Sequence, residues 1–91
     1  MIKLRVAAVG AGYFSQFHQR GWKNIAEAEC VALADRDADK ARALAQRFGV
    51  PRHFDSLEAM LDAAQPALLD IVTPPPTHRA FVAAAVARGI P

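Results

Sequence analysis

The stretch Leu4-Arg5-Val6-Ala7-Ala8-Val9-Gly10-Ala11-Gly12-Tyr13-Phe14-Ser15 decides how this chain folds. An apolar run, nearly continuous as in a strand covered on both faces, passes through two glycines into a helical pattern. The first glycine lets a strand turn sharply into a helix. The second removes a Cβ, so that backbone can approach a pyrophosphate, and the helix N-terminus supplies free N–H groups and a positive dipole end for that anion. About 20 positions further on, Asp35 stands at the end of the next apolar run, where a carboxylate can accept hydrogen bonds from both hydroxyls of an adenosine ribose. Gly10, Gly12 and Asp35 therefore predict a dinucleotide site. Ser15 replaces the motif's third glycine; it is small enough for close helix-to-strand packing and has a hydroxyl to offer a phosphate.

Outward from this stretch, the apolar pattern predicts alternating elements. Phe14, Phe17, Gly21 and Ile25 recur at three- and four-residue steps and predict a helix from Tyr13 to about Ile25 with these residues on its apolar face. Glu29 to Ala34 reads as a second strand. Arg36-Asp37 turns into a helix whose face is Ala41, Leu44, Ala45 and Phe48, stopped by Gly49 with Pro51 beyond. Arg52-His53-Phe54 is a short third strand, and Asp55 and Glu58 have the spacing of a capping box ahead of a helix lined by Leu57, Leu61 and Ala64 and ended by Pro66. Leu68 to Thr73 forms a fourth strand, Pro74-Pro75-Pro76 a rigid loop, and Thr77 the cap of a helix running to Arg88, with Gly89 as its stop. The fold class is α/β: a doubly wound parallel sheet, βαβαβαβα, in strand order 3-2-1-4. The chain ends at Pro91, where a fifth strand is due, so the expectation is a domain incomplete at its C-terminus. Its fourth strand would be an open edge, prone to pairing with another chain in a homo-oligomer.

Composition narrows the function classes. The 91 residues are 53% hydrophobic, which suits one small globular domain and not a disordered segment. Eleven Lys and Arg are interspersed with nine Asp and Glu for a net charge of +2, so no basic stripe for nucleic acid emerges. The single cysteine, Cys30, cannot form an internal disulfide and reads as a small buried hydrophobe. Lys3 and Arg5 ahead of Val6-Ala7-Ala8-Val9 faintly suggest a secretory signal, but the apolar run stops at Gly10, and no stretch approaches the ~20 apolar residues of a membrane span. A cytoplasmic protein, with no membrane or nucleic-acid partner, is expected. His18, His53 and His78 are far apart in sequence, without ligand spacing, so no metal site is expected. His18 suits packing along its helix or a polar contact, and Trp22 suits packing or a surface position. His78 opens the helix after the fourth strand, at the sheet edge where ligands of open α/β folds bind. Arg36 suits stacking on adenine or holding a 2′-phosphate, whereas Asp35 repels that phosphate; the pair favours NAD over NADP.

The whole chain resembles the Gfo/Idh/MocA family of oxidoreductases, the glucose-fructose oxidoreductase and inositol dehydrogenase relatives. The resemblance is carried by Val9 to His18, by Ala34-Asp35-Arg36-Asp37 and by Asp70-Ile71-Val72-Thr73-Pro74-Pro75-Pro76-Thr77-His78. It implies a Rossmann domain, here residues 1–91 and partial, joined to a larger mixed α/β domain that supplies substrate contacts and often the oligomer interface. Carried over by matching positions, Gly10, Gly12, Tyr13 and Phe14 surround the pyrophosphate and Asp35 with Arg36 the adenosine ribose. Thr73, Pro74 and His78 border the stretch from adenosine to nicotinamide. The family's Lys-Pro motif follows its fifth strand and its catalytic histidine or aspartate lies in the second domain, so no position here is assigned a catalytic role. The resemblance implies an NAD(P)-dependent dehydrogenase that moves a hydride between nicotinamide and a sugar, polyol or related small molecule, with the 91 residues alone inactive. A non-catalytic nucleotide-binding or sensor module is the alternative. A methyltransferase using S-adenosylmethionine shares the glycine-rich loop and the acid, but the Thr73-Pro74 to His78 element argues against it.

Overall fold

The structure is a computed structural model that describes residues 2–91. Its elements are β1 (Leu4–Val9), α1 (Ser15–Lys23), β2 (Ala28–Ala34), α2 (Ala38–Phe48), β3 (Arg52–Phe54), α3 (Leu57–Ala64), β4 (Leu68–Ile71), a 3-10 turn (Pro75–Thr77) and α4 (His78–Ala87). The strands form one parallel sheet in the expected order β3-β2-β1-β4. No described helix is long and apolar enough to cross a membrane.

Alternation along the central strands divides the core in two. Ala7, Val9, Ala32 and Ala34 face Leu57, Met60, Leu61 and Ala64 of α3, while Ala8 and Leu33 face Ala41, Leu44 and Ala45 of α2. Alanine at the middle of β1 and β2 leaves room for larger residues from the helices, and Leu33, Met60 and Leu61 are essentially fully buried. Each such side chain contributes about 1.5–3 kcal/mol by leaving water. Helix ends follow local chemistry. Asp37 accepts the N–H groups of Asp39 and Lys40 at the start of α2, and Gly49, at φ 66°, ends it. At α3 the cap is Ser56, one residue later than the Asp55–Glu58 spacing predicts. Ser56 holds the extended backbone a cap needs; its Oγ accepts the Ala59 N–H at 3.2 Å and its hydroxyl donates to Glu58.

Helix α1 departs furthest from its expected packing. Ser15 and Gln19 are its buried residues, at 1% and 2% exposure, whereas Phe14, Phe17 and Ile25 are 69%, 46% and 43% exposed. The helix phase is set at its first residue, Ser15, which is buried against the glycine loop. The Ser15 hydroxyl donates to the Gly10 carbonyl at 2.7 Å. Once Ser15 points inward, Gln19 one turn later follows it. The aromatic residues turn outward and pack on one another, with Tyr13 edge-to-face against Phe14 and Phe17 at centroid distances of 5.3 and 5.6 Å. Cys30 lies half-buried beneath Gln19, and burial pushes its thiol pKa up.

A polar clasp ties α1 to β4. The Asp70 carboxylate accepts from Trp22 Nε1–H at 2.9 Å and from His18 Nδ1 at 2.9 Å; since a carboxylate only accepts, Nδ1 carries the hydrogen. The acceptor's own side chain is only 15% exposed, and removing it leaves both donors without their partner. Asp70→Ala is therefore expected to lower stability by ~1–3 kcal/mol, read as a lower urea midpoint; an unchanged midpoint contradicts the clasp. At the outer edge of β4, the Leu69 N–H donates to the Pro91 carbonyl at 2.8 Å, and Leu69 and Ile71 pack against the core.

Candidate functional site

The loop from β1 to α1 is shaped by one steric demand and one open space. Gly10 has φ 109°, and a Cβ there would sit 2.1 Å from the Val72 carbonyl oxygen, so glycine alone fits where β1 and β4 end side by side. The Gly10 N–H donates to the Ala34 carbonyl and the Val72 N–H to the Val9 carbonyl, both at 2.8 Å, which fixes the loop to both neighbouring strands. At Gly12 the position of a Cβ is open, with no atom within 4 Å. That is the cradle a pyrophosphate needs against backbone. Helix α1 follows with no side-chain cap. Among the described residues nothing accepts from the amides of Gly12, Tyr13 and Phe14, and these donors lie at the positive end of the helix. The residues present thus fit the anionic centre of a dinucleotide. Ser15 corrects one expectation: its hydroxyl is spent on the Gly10 carbonyl beneath the loop and is buried, so it braces the turn and offers nothing to a phosphate.

Asp35 stands where β2 ends. Its Oδ2 accepts the Ala11 N–H and its Oδ1 the Asp37 N–H, each at 2.8 Å. A carboxylate has about four acceptor positions, so two remain for hydroxyl donors. Beside it, Arg36 is exposed. Asp35 and Arg36 share a crevice of about 520 Å³ with Val9, Ala34, Pro76 and Thr77, a size and a mixed apolar and polar lining that suit a small ligand or one half of a larger one. From the sequence Pro76 and Thr77 read as loop and helix cap, not as residues of the site. The available signal was topological: they follow β4 at the same carboxyl edge of the sheet.

The segment after β4 is closed on itself. The His78 Nε2–H donates to the Thr73 carbonyl at 2.6 Å, the Thr73 hydroxyl meets that of Thr77 at 2.5 Å, and Thr77 donates to the Pro74 carbonyl at 2.7 Å. Pro74 leads into the 3-10 turn, so the expected rigid loop is partly helical. Thr77 stabilises that turn and makes no side-chain cap for α4. The structure thus brings Gly10, Gly12, Asp35, Arg36 and Thr73 to one edge, with Thr73 Cγ2 3.0 Å from where a Gly10 Cβ would lie. The rings of Tyr13 and Phe14 lie against each other beside this loop. They are 71% and 69% exposed, and what these two residues present to the loop is backbone. The His78 ring is engaged by its own loop.

Comparison with known proteins agrees with this geometry. Residues 4–91 match the model of the oxidoreductase family with an NAD-binding Rossmann fold. A D-apiose dehydrogenase of Paraburkholderia graminis is 40% identical over 88 residues, covering 97% of this chain and 24% of that protein. An inositol 2-dehydrogenase of Saccharopolyspora erythraea is 36% identical over 91 residues, covering 98% of this chain and 27% of its own length. Among solved structures, an oxidoreductase from Agrobacterium radiobacter in complex with NAD+, L-tartaric acid and magnesium superposes with a TM-score of 0.93 at 29% identity, over 98% of this chain and 26% of that one. The chain spans about a quarter of the length of these relatives. The glycine loop, the acid after β2 and the closed segment after β4 thus lie in a chain that belongs to the Gfo/Idh/MocA oxidoreductase family, within its NAD-binding Rossmann fold.

Proposed function

We propose that this chain is the cofactor-binding portion of a dehydrogenase that moves a hydride between a nicotinamide cofactor and a sugar, polyol or related small molecule. Residues 1–91 form part of its N-terminal domain. Bound NAD supplies the hydride acceptor, and the residues here bind and orient it. The open cradle at Gly12 above the uncapped start of α1 carries the reading. The Gly12, Tyr13 and Phe14 amides hold the pyrophosphate, Asp35 receives the ribose hydroxyls, and Arg36 with Pro76 and Thr77 encloses the adenosine. Thr73, Pro74 and His78 border the path toward the nicotinamide, the first two by backbone and the histidine by holding the segment closed. The naming of relatives as apiose and inositol dehydrogenases supports the substrate class. Substrate contacts, catalytic groups and the oligomer interface belong to the part of the relatives' length that this chain does not span.

Titration calorimetry with NADH and NADPH tests the reading. NADH is expected to bind at least about 10-fold more tightly, because the Asp35 carboxylate accepts from a 2′-hydroxyl and repels a 2′-phosphate. Asp35→Ala is expected to weaken NADH by about 10- to 100-fold, the worth of hydrogen bonds to a charged acceptor. Equal affinity for the two cofactors contradicts the role given to Asp35, and binding of neither contradicts the site.

A further inference from the structure

The Asp35 carboxylate is placed to do more than meet a ribose. Backbone pairing between β1 and β2 reaches its last step where the Gly10 N–H donates to the Ala34 carbonyl. The next donor along the chain is the Ala11 N–H, and it finds Asp35 Oδ2 at 2.8 Å. A side-chain oxygen thus continues the ladder one residue past its backbone end. The other oxygen, Oδ1, accepts from the N–H of Asp37, the cap of α2, at 2.8 Å, and the Asp35 backbone N–H donates to the Phe54 carbonyl of β3 at 3.2 Å, so the carboxylate is held from the start of α2 and its backbone from β3. Ala11 is the residue between the two glycines. Its peptide plane sets the direction in which the Gly12, Tyr13 and Phe14 amides leave the loop, and Gly12 has no side chain whose packing could set it instead.

We propose that Asp35 is a positioning residue for the phosphate-binding loop, in addition to its role at the ribose. This rests on the nucleotide reading above and deepens it. Recognition of the ribose and aim of the phosphate donors then run through a single carboxylate. A small neutral residue at position 35 relieves repulsion of a 2′-phosphate but loosens the amides that hold the pyrophosphate, so Asp35→Ala loses NADH without gaining NADPH.

Two measurements on the 91-residue chain separate this from a role at the ribose alone. Amide exchange by NMR, with no ligand added, is expected to show Ala11 exchanging at least about 10-fold faster in Asp35→Ala, the cost of one charge-assisted hydrogen bond. Leu33, in the core, is expected to be unchanged. ADP and 2′,3′-dideoxy-ADP are then titrated into both proteins. The dideoxy ligand keeps the diphosphate and has no hydroxyl for Asp35 to accept from, yet it is expected to bind Asp35→Ala about 3- to 10-fold more weakly than the wild type. Unchanged Ala11 exchange, or equal or tighter binding of the dideoxy ligand by the variant, overturns the proposal. Failure of the wild-type chain to bind ADP overturns the nucleotide reading instead, and the exchange result still decides whether Asp35 holds the loop. Should Asp35→Ala not fold, Asp35→Asn carries the exchange test. Its one oxygen serves Ala11 or Asp37 but not both, so one of the two amides is expected to exchange faster.

Discussion

Gly10→Ala is expected to cost about 3–5 kcal/mol of stability, combining a backbone conformation that side chains rarely adopt with a collision that must move backbone. The added Cβ would lie 2.1 Å from the Val72 carbonyl oxygen and 2.7 Å from its carbon. Neither is the far end of a flexible side chain, so relief requires β1 and β4 to separate where they pair, Val9 opposite Ile71. A domain of this size is stable by roughly 5–14 kcal/mol, so the loss is a large share of the total. In urea it should lower the midpoint by about 2 M, given slopes of ~1–3 kcal/mol per molar for small proteins. A midpoint within experimental error of the wild type contradicts the geometry assigned to this turn.

Gly12→Val should have the opposite profile. Nothing lies within 4 Å of its Cβ position and its φ is not positive, so the side chain enters open space and stability should stay within ~0.5 kcal/mol of the wild type. In the proposed site, the same space is where the pyrophosphate approaches backbone. A valine there holds the anion off the Gly12, Tyr13 and Phe14 amides, and NADH affinity should fall by about 100-fold or more, equivalent to the ~3 kcal/mol of two charge-assisted hydrogen bonds. On the proposed function, two glycines separated by one residue have separable tasks, one for the fold and one for the ligand. Wild-type NADH affinity in a folded Gly12→Val variant contradicts the placement of the phosphate.

The order of elements was legible because each part was written in a short-range code. Val6 to Val9 is apolar without interruption, as a strand covered on both faces must be; Gly49 and Gly89 sit where helices stop; and the glycines and Asp35 have the spacing of a strand-turn-helix and the strand after it. The facing of α1 was not legible. Phe14 and Phe17 repeat at helical spacing, and the general preference for apolar burial assigns them inward. What overrides that preference is a buried contact between residues five apart, the Ser15 hydroxyl on the Gly10 carbonyl, which makes Ser15 the inward residue. The cap of α3 moved by one residue for a similar reason, since two acidic residues at capping spacing lost to a serine whose backbone was already extended. At the candidate site, the acid and the glycines could be placed from sequence because their positions depend on spacing along one βαβ unit. The contributions of Pro76 and Thr77 depend on β4 lying beside β1, and the clasp of His18, Trp22 and Asp70 depends on the same adjacency.

The proposed site holds a dinucleotide at the carboxyl edge of β1 and β2 through the loop from Gly10 to Phe14. The most direct test is amide chemical-shift mapping of the 91-residue chain with NADH added to saturation. The largest shifts are expected at Gly12, Tyr13 and Phe14, with Ala11 and Asp35 close behind and Thr77 moving at the far wall of the crevice. The amides of Lys23 and Asn24, at the other end of α1, should stay in place. Shifts centred on that opposite end, or no shifts at millimolar NADH in a folded chain, would contradict the proposed site.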